Sequence, residues 1–85
     1  MVPRSVLIVD DSQAVRKAMR GFFEASTDWK IGDEAADGAE AIRKAIELKP
    51  DLSLLDFCMP NMNGIEAASV LKKMLPLSHI IVFTL

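Results

Sequence analysis

The sequence predicts an α/β fold in which helices cover a parallel sheet. Two observations carry that prediction. Val6–Val9, Leu52–Leu55 and Ile80–Phe83 are short runs, apolar at nearly every position rather than alternating. Such runs suit strands buried on both faces. Between them lie segments whose apolar residues recur at helical spacing, so strand and helix alternate along the chain. Parallel neighbours need crossovers that pass over a face of the sheet, and alternation of this kind gives a doubly wound architecture. Right-handed crossovers then set which face each helix covers.

The first strand, Val6–Val9, ends in Asp10 and Asp11. Ser12 suits a helix N-cap, and Val15, Met19, Phe22 and Phe23 follow at i, i+4, i+7 and i+8, one face of a first helix. A second strand is expected around Trp29-Lys30-Ile31. Asp28, Lys30, Asp33 and Glu34 crowd it, which places it at an edge with Trp29 partly exposed. Ile42, Ala45, Ile46 and Lys49 mark a second helix that stops before Pro50. Leu52–Leu55 is the third strand, with Asp56 after it. Ile65, Ala68, Leu71 and Lys72 mark a third helix, preceded by Gly64 and ended by Pro76, and Ile80–Phe83 is the fourth strand.

Composition bounds the function. The chain has 85 residues, 10 Lys and Arg against 12 Asp and Glu, and one cysteine. It reads as one domain over residues 1–85, with no linker, repeat or low-complexity tract. A domain of this mass should expose about 5,000 Å² when folded, against roughly 13,500 Å² unfolded. The slight acidity argues against direct nucleic-acid or membrane-surface binding, both of which ask for a basic excess. The apolar runs fall far short of the ~20 residues of a membrane span. A single cysteine builds no disulfide framework, which points to a reducing, cytoplasmic setting.

In open α/β sheets ligands sit outside the carboxyl ends of the strands, where the strand order reverses. Asp10 and Asp11 follow the first strand, Asp56 the third, and Thr84 the fourth. Carboxylates that converge repel one another unless a cation joins them, and oxygen-only ligands select a hard cation such as Mg²⁺. A cation of that kind neutralises an incoming phosphoryl group, and a carboxylate nucleophile then yields an aspartyl phosphate. Each residue also has a plainer reading. Asp10 and Asp11 could cap a helix, Asp56 could start a turn, and Thr84 could simply be strand. His79 suits a structural or solvated role, Cys58 a small buried filler, and Met59, Met62 and Met74 packing.

Four segments carry a resemblance: Val6–Ser12, Ala35–Ala41, Lys49–Leu52 and Leu54–Gly64. The last, with Asp56, Met59, Pro60, Met62 and Gly64, is the most specific. In these segments the chain resembles the receiver domain of two-component response regulators. That resemblance implies a flavodoxin-like doubly wound parallel sheet with strand order 2-1-3-4. It implies Asp56 as phosphoacceptor, taking a phosphoryl group from a sensor histidine kinase or phosphotransfer protein. Mg²⁺ would be held by Asp11, Asp56 and the Cys58 backbone carbonyl, with Asp10 acting through water. Thr84 matches the switch hydroxyl, and Pro60 and Gly64 shape the loop after Asp56. Asn63 stands where the family usually has Asp.

The resemblance implies a signalling domain rather than an enzyme. It also implies a final helix-strand-helix, with a lysine on its strand, that would lie beyond Leu85. Without that lysine, phosphoryl transfer is expected to be slower or uncoupled. The fourth strand would form an apolar edge (Ile80, Ile81, Val82 and Phe83) inviting a second copy. The alternative reading is a signalling-defective receiver that serves as a self-association module. A phosphatase of the haloacid dehalogenase type needs two aspartates separated by one residue after the first strand; here Asp10 and Asp11 are adjacent.

Overall fold

Seven elements make up the computed structural model, which describes residues 4–84. They are β1 (Ser5–Val9), α1 (Gln13–Ser26), β2 (Lys30–Ala35), α2 (Gly38–Leu48), β3 (Leu52–Asp56), α3 (Gly64–Met74) and β4 (His79–Phe83). All strand pairs are parallel, in the order β2-β1-β3-β4. The fold and strand order are those the sequence led us to expect. The accessible surface, 5245 Å², is close to that expected from the mass.

Alternation along β1 divides the core. Leu7 and Val9 point with Leu55, Met59, Ala41, Ala45, Ala67 and Leu71 into the layer beneath α2 and α3. Val6 and Ile8 point with Leu52 and Leu54 towards α1, where Met19, Phe23, Trp29, Ile31 and Phe83 pack on them. β1 and β3 are therefore apolar almost throughout because both of their faces are covered.

β2 is an edge strand, as its charges imply, but it runs on to Ala35, well past the Trp29–Ile31 centre. Its carboxylates are not a barrier to strand formation because they pair with neighbouring helices. Glu34 meets Arg16 and Arg20 of α1, and Asp33 meets Lys44 of α2. A bulge interrupts the ladder: Val6 pairs with Ile31 but Leu7 with Asp33, so Gly32 has no partner. The extra residue reverses the alternation, which lets Ile31 join the α1 side and Ala35 the α2–α3 side. A side chain at Gly32 would put its Cβ 2.7 Å from the Leu48 side chain.

The helices start where the caps lie, but two present a different face from the one expected. Ser12 Oγ accepts from Val15 N and Asp37 from Glu40 N, opening α1 and α2. In α2 the buried residues are Gly38, Ala41 and Ala45, with Ile42 and Leu48 at the margin, while Ile46 is half-exposed. In α3 they are Gly64, Ala67 and Leu71, and Ile65 is 54% exposed. Both faces are rotated towards small residues, because alanine and glycine let two neighbouring helices approach one side of a short sheet. In α1, Met19 and Phe23 face the sheet, whereas Phe22 turns outwards and packs edge-on against Phe23. Met59 and Met62 do pack in the core, but Met74 is half-exposed. His79 is exposed at the start of β4, and Trp29 is half-buried with Arg4 5.4 Å above its ring.

Candidate functional site

The chain leaves β1 towards β2 on one side, while β3 lies on the other, so the strand order reverses between β1 and β3. The carboxyl rim beside that point is where open α/β sheets take their ligands. Asp10 and Asp11 reach it from β1, and Asp56 from the end of β3. One carboxylate oxygen from each lies within 4.8 Å of the other two.

Asp10 is 2% exposed and Asp56 8%, whereas Asp11 is open to solvent. Both buried carboxylates are held by backbone N–H groups. Ser12 N donates to Asp10 Oδ1 at 2.8 Å, and Cys58 N to Asp56 Oδ1 at 3.1 Å. Among the described residues, no ion pair reaches any of the three. Burial pushes the Asp10 carboxyl above its ordinary range, the Ser12 N–H opposes this, and the charges of Asp56 and Asp11 add to the rise. The hydrogen bonds these carboxylates accept come from neutral backbone N–H groups, which leaves their charge without a paired cation. Their all-oxygen chemistry fits a hard divalent cation.

The loop after β3 is built to deliver Asp56. Gly64 N donates to the Phe57 carbonyl at 3.0 Å, and Met62 N to that of Pro60 at 2.8 Å. Asn61 takes up the left-handed conformation at φ 69°, which asparagine tolerates. Gly64 is required by space: a Cβ there would lie 2.5 Å from the Asp56 carbonyl oxygen. Asn63 caps α3 in a reciprocal box with Glu66, so the amide performs the capping that its position demands.

Phe57 N donates to the Phe83 carbonyl at 2.7 Å, which ties this loop to β4. Asp56 pairs with Phe83 across the sheet, and Thr84 therefore stands one residue beyond the acceptor's partner, exposed at the same rim. The Cys58 residue is exposed rather than a buried filler, because the turn that aims its N–H at Asp56 leaves the side chain outside the core.

One residue at this site had not been singled out from the sequence. Arg16 of α1 donates from Nη1 to the Asp10 carbonyl at 2.6 Å and from Nε to Glu34 at 3.1 Å. Its only sequence signal is that Arg16 and Arg20 sit one helical turn apart, a repulsive spacing unless an acid lies between them.

The sequence profile of the response regulator receiver domain matches residues 6–85. The chain belongs to this family. Over 80 residues this receiver chain is 45% identical to the protein-glutamate methylesterase/protein-glutamine glutaminase of Thermotoga maritima, covering 94% of this chain and 23% of that protein. It is 43% identical over 79 residues to the response regulator VraR of Staphylococcus aureus, covering 93% of this chain and 38% of VraR. The chain thus spans well under half of these relatives.

Among solved structures, the response regulator domain of Thermotoga maritima CheB superposes with a TM-score of 0.89 at 40% identity, over 98% of this chain and 61% of that one. The CheX–CheY–BeF3–Mg²⁺ complex from Borrelia burgdorferi gives 0.88 at 34%, over 98% and 63%. These receiver structures share the sheet and the three helices described above. No helix among the described residues is long and apolar enough to cross a membrane.

Proposed function

We propose that this receiver domain accepts a phosphoryl group on Asp56 from a phosphohistidine of a sensor histidine kinase or phosphotransfer protein. The observation that carries the reading is the approach of Asp10, Asp11 and Asp56 to within 4.8 Å at the strand-order reversal, with Asp56 ending the central strand β3. An Asp56 carboxylate oxygen forms the new O–P bond as the P–N bond to the donor imidazole breaks, and the ring nitrogen leaves with the bonding pair. Asp11, Asp56 and the Cys58 carbonyl would hold Mg²⁺, with Asp10 acting through water. Bound there, the ion supplies the charge neutralisation that phosphoryl transfer needs. The presence of Mg²⁺ in the structurally similar CheY complex supports this choice of ion.

The Ser12 and Cys58 N–H groups orient Asp10 and Asp56 beforehand, and Gly64 lets the loop close behind the acceptor. Thr84, one residue past the partner of Asp56, acts as the switch hydroxyl that hydrogen-bonds a phosphoryl oxygen. In this reading the domain is a cytoplasmic phosphoacceptor and not itself an enzyme, and it does not touch nucleic acid. The family match and the similar structures lend nothing to the alternative of a signalling-defective association module.

A second copy is a further proposed partner of the 85-residue chain. The outer side of β4 is an edge among the described residues, and Ile81 on it is half-exposed. Light scattering at micromolar concentration should show a dimer that Ile81→Lys disperses; a monomeric wild type removes the proposal. The phosphoacceptor reading is tested by intact mass after incubation with a small acyl phosphate and Mg²⁺. One added phosphoryl group is expected in wild type and none in Asp56→Asn. No addition to folded wild type, or equal addition to both, refutes Asp56 as the acceptor.

A further inference from the structure

We propose that Arg16 is a positioning residue for the cation site, acting through the Asp10 carbonyl to set where Asp11 is delivered. The inference rests on the acidic trio being that site.

Asp10 is nearly fully buried, and both of its backbone groups are held. Its N–H donates to the Ala35 carbonyl of β2 at 3.1 Å, and its carbonyl accepts from Arg16 Nη1 at 2.6 Å. A peptide unit is planar, so the Asp10 carbonyl and the Asp11 N–H turn as one body. The guanidinium therefore fixes the direction in which the chain leaves β1. That direction decides whether the Asp11 carboxylate meets Asp10 and Asp56 or swings into solvent, where Asp11 is otherwise free to go.

Arg16 can do this because it is itself held. Its side chain is 16% exposed, its Nε donates to Glu34 on β2 at 3.1 Å, and its own backbone N–H donates to the Ser12 carbonyl at the start of α1. A planar fork spans the carbonyl and the carboxylate with fixed donor directions and so sets the angle between them; a rotatable ammonium can bridge two such oxygens, as Lys44 bridges Asp33 and the Glu34 carbonyl, but fixes neither direction. Arg20 provides an internal control. It meets the second Glu34 oxygen at 2.7 Å and stitches α1 to the same edge strand, yet it makes no hydrogen bond to the loop that carries Asp10 and Asp11.

The test separates site geometry from edge stability. Wild type, Arg16→Ala, Arg16→Lys and Arg20→Ala are titrated with Mg²⁺ alone, followed by the amide shifts of Asp11 and Cys58. Urea unfolding of each is measured in metal-free buffer. Residues that orient metal ligands typically change affinity by about 10- to 100-fold. Arg16→Ala should accordingly weaken Mg²⁺ binding about 10-fold or more, with Arg16→Lys between it and wild type. Arg20→Ala should lose stability while keeping its affinity within about twofold. An Arg16→Ala protein that binds Mg²⁺ within about twofold of wild type overturns the inference. So does an equal loss of affinity in Arg20→Ala, which would make both arginines mere stitching. Where Arg16→Ala does not fold, Arg16→Lys decides: weaker binding than wild type supports the role, and equal binding overturns it. Wild type that binds no Mg²⁺ refutes the cation-site reading itself, a separate failure.

Discussion

Removing the charge of Asp10 while keeping its shape should make the metal-free domain more stable. Asp10→Asn retains Oδ1, so the Ser12 N–H that donates to it at 2.8 Å keeps its acceptor. What disappears is one of three like charges whose oxygens lie within 4.8 Å of one another. At that distance a pair of unit charges repels by about 0.9 kcal/mol in water and about 3.5 kcal/mol at the effective dielectric of a protein surface. The substitution relieves two such pairs. Asp11 is exposed, which pulls the answer towards the aqueous limit, so about 2 kcal/mol is expected. For a domain of this size that corresponds to a melting temperature higher by about 8 °C or more.

The assay is thermal unfolding at low ionic strength with chelator present, repeated with Mg²⁺. Wild type should gain about 1.4 kcal/mol when free Mg²⁺ reaches ten times its dissociation constant, and Asp10→Asn should gain less at the same concentration. An Asp10→Asn protein no more stable than wild type without metal would mean that the carboxylates do not strain the fold. The cation-site argument would then lose its physical basis.

Other perturbations probe the surrounding structure. Gly64→Ala drives a Cβ against the Asp56 carbonyl, which is backbone and cannot step aside, so a loss of about 1–3 kcal/mol and impaired phosphorylation are expected. At Gly38→Ala the nearest atoms belong to the flexible Met62 side chain, so it should cost less by urea unfolding; the reverse order would refute the account of the loop. Asn63→Ala removes the side-chain acceptor of the Glu66 N–H while leaving the backbone N–H that donates to Glu66, and should cost about 0.5–2 kcal/mol with acceptor chemistry retained. The Glu34 N–H first, and Lys44 second, hold the Asp33 carboxyl below its ordinary value of 3.8. A depressed carboxyl contributes stability above its unfolded pKa and loses it as pH falls through the folded value. Asp33→Asn should thus be less stable than wild type near neutral pH, by a small margin because Asp33 is half-exposed, and the gap should close in acid. A gap that widens in acid would reverse the assigned sign.

Much of this protein could be read along the chain because the signals are local. Runs apolar at nearly every position suited strands covered on both sides, which β1 and β3 are, whereas β4 at the edge is only partly covered. The carboxylates at their ends could only reach the carboxyl rim once the strands were parallel. Ser12 before an apolar period announced the start of α1. The Leu54–Gly64 segment carried the family because its loop chemistry lies within eleven consecutive residues. Tertiary structure decided what depends on partners far apart in sequence. Period alone says that α2 and α3 have an apolar face, but their neighbours choose the angle, and close packing turned both towards alanine and glycine rather than Ile46 and Ile65. Strand β2 extends through Asp33 and Glu34 only because Arg16, Arg20 and Lys44 come to meet them. The bulge at Gly32 reverses its alternation in a way that no pattern within six residues discloses. The clamp of Arg16 on Asp10 joins a helix to a strand end and to an edge strand eighteen residues away. Periodicity carries no information about such a contact; folding alone brings the three together.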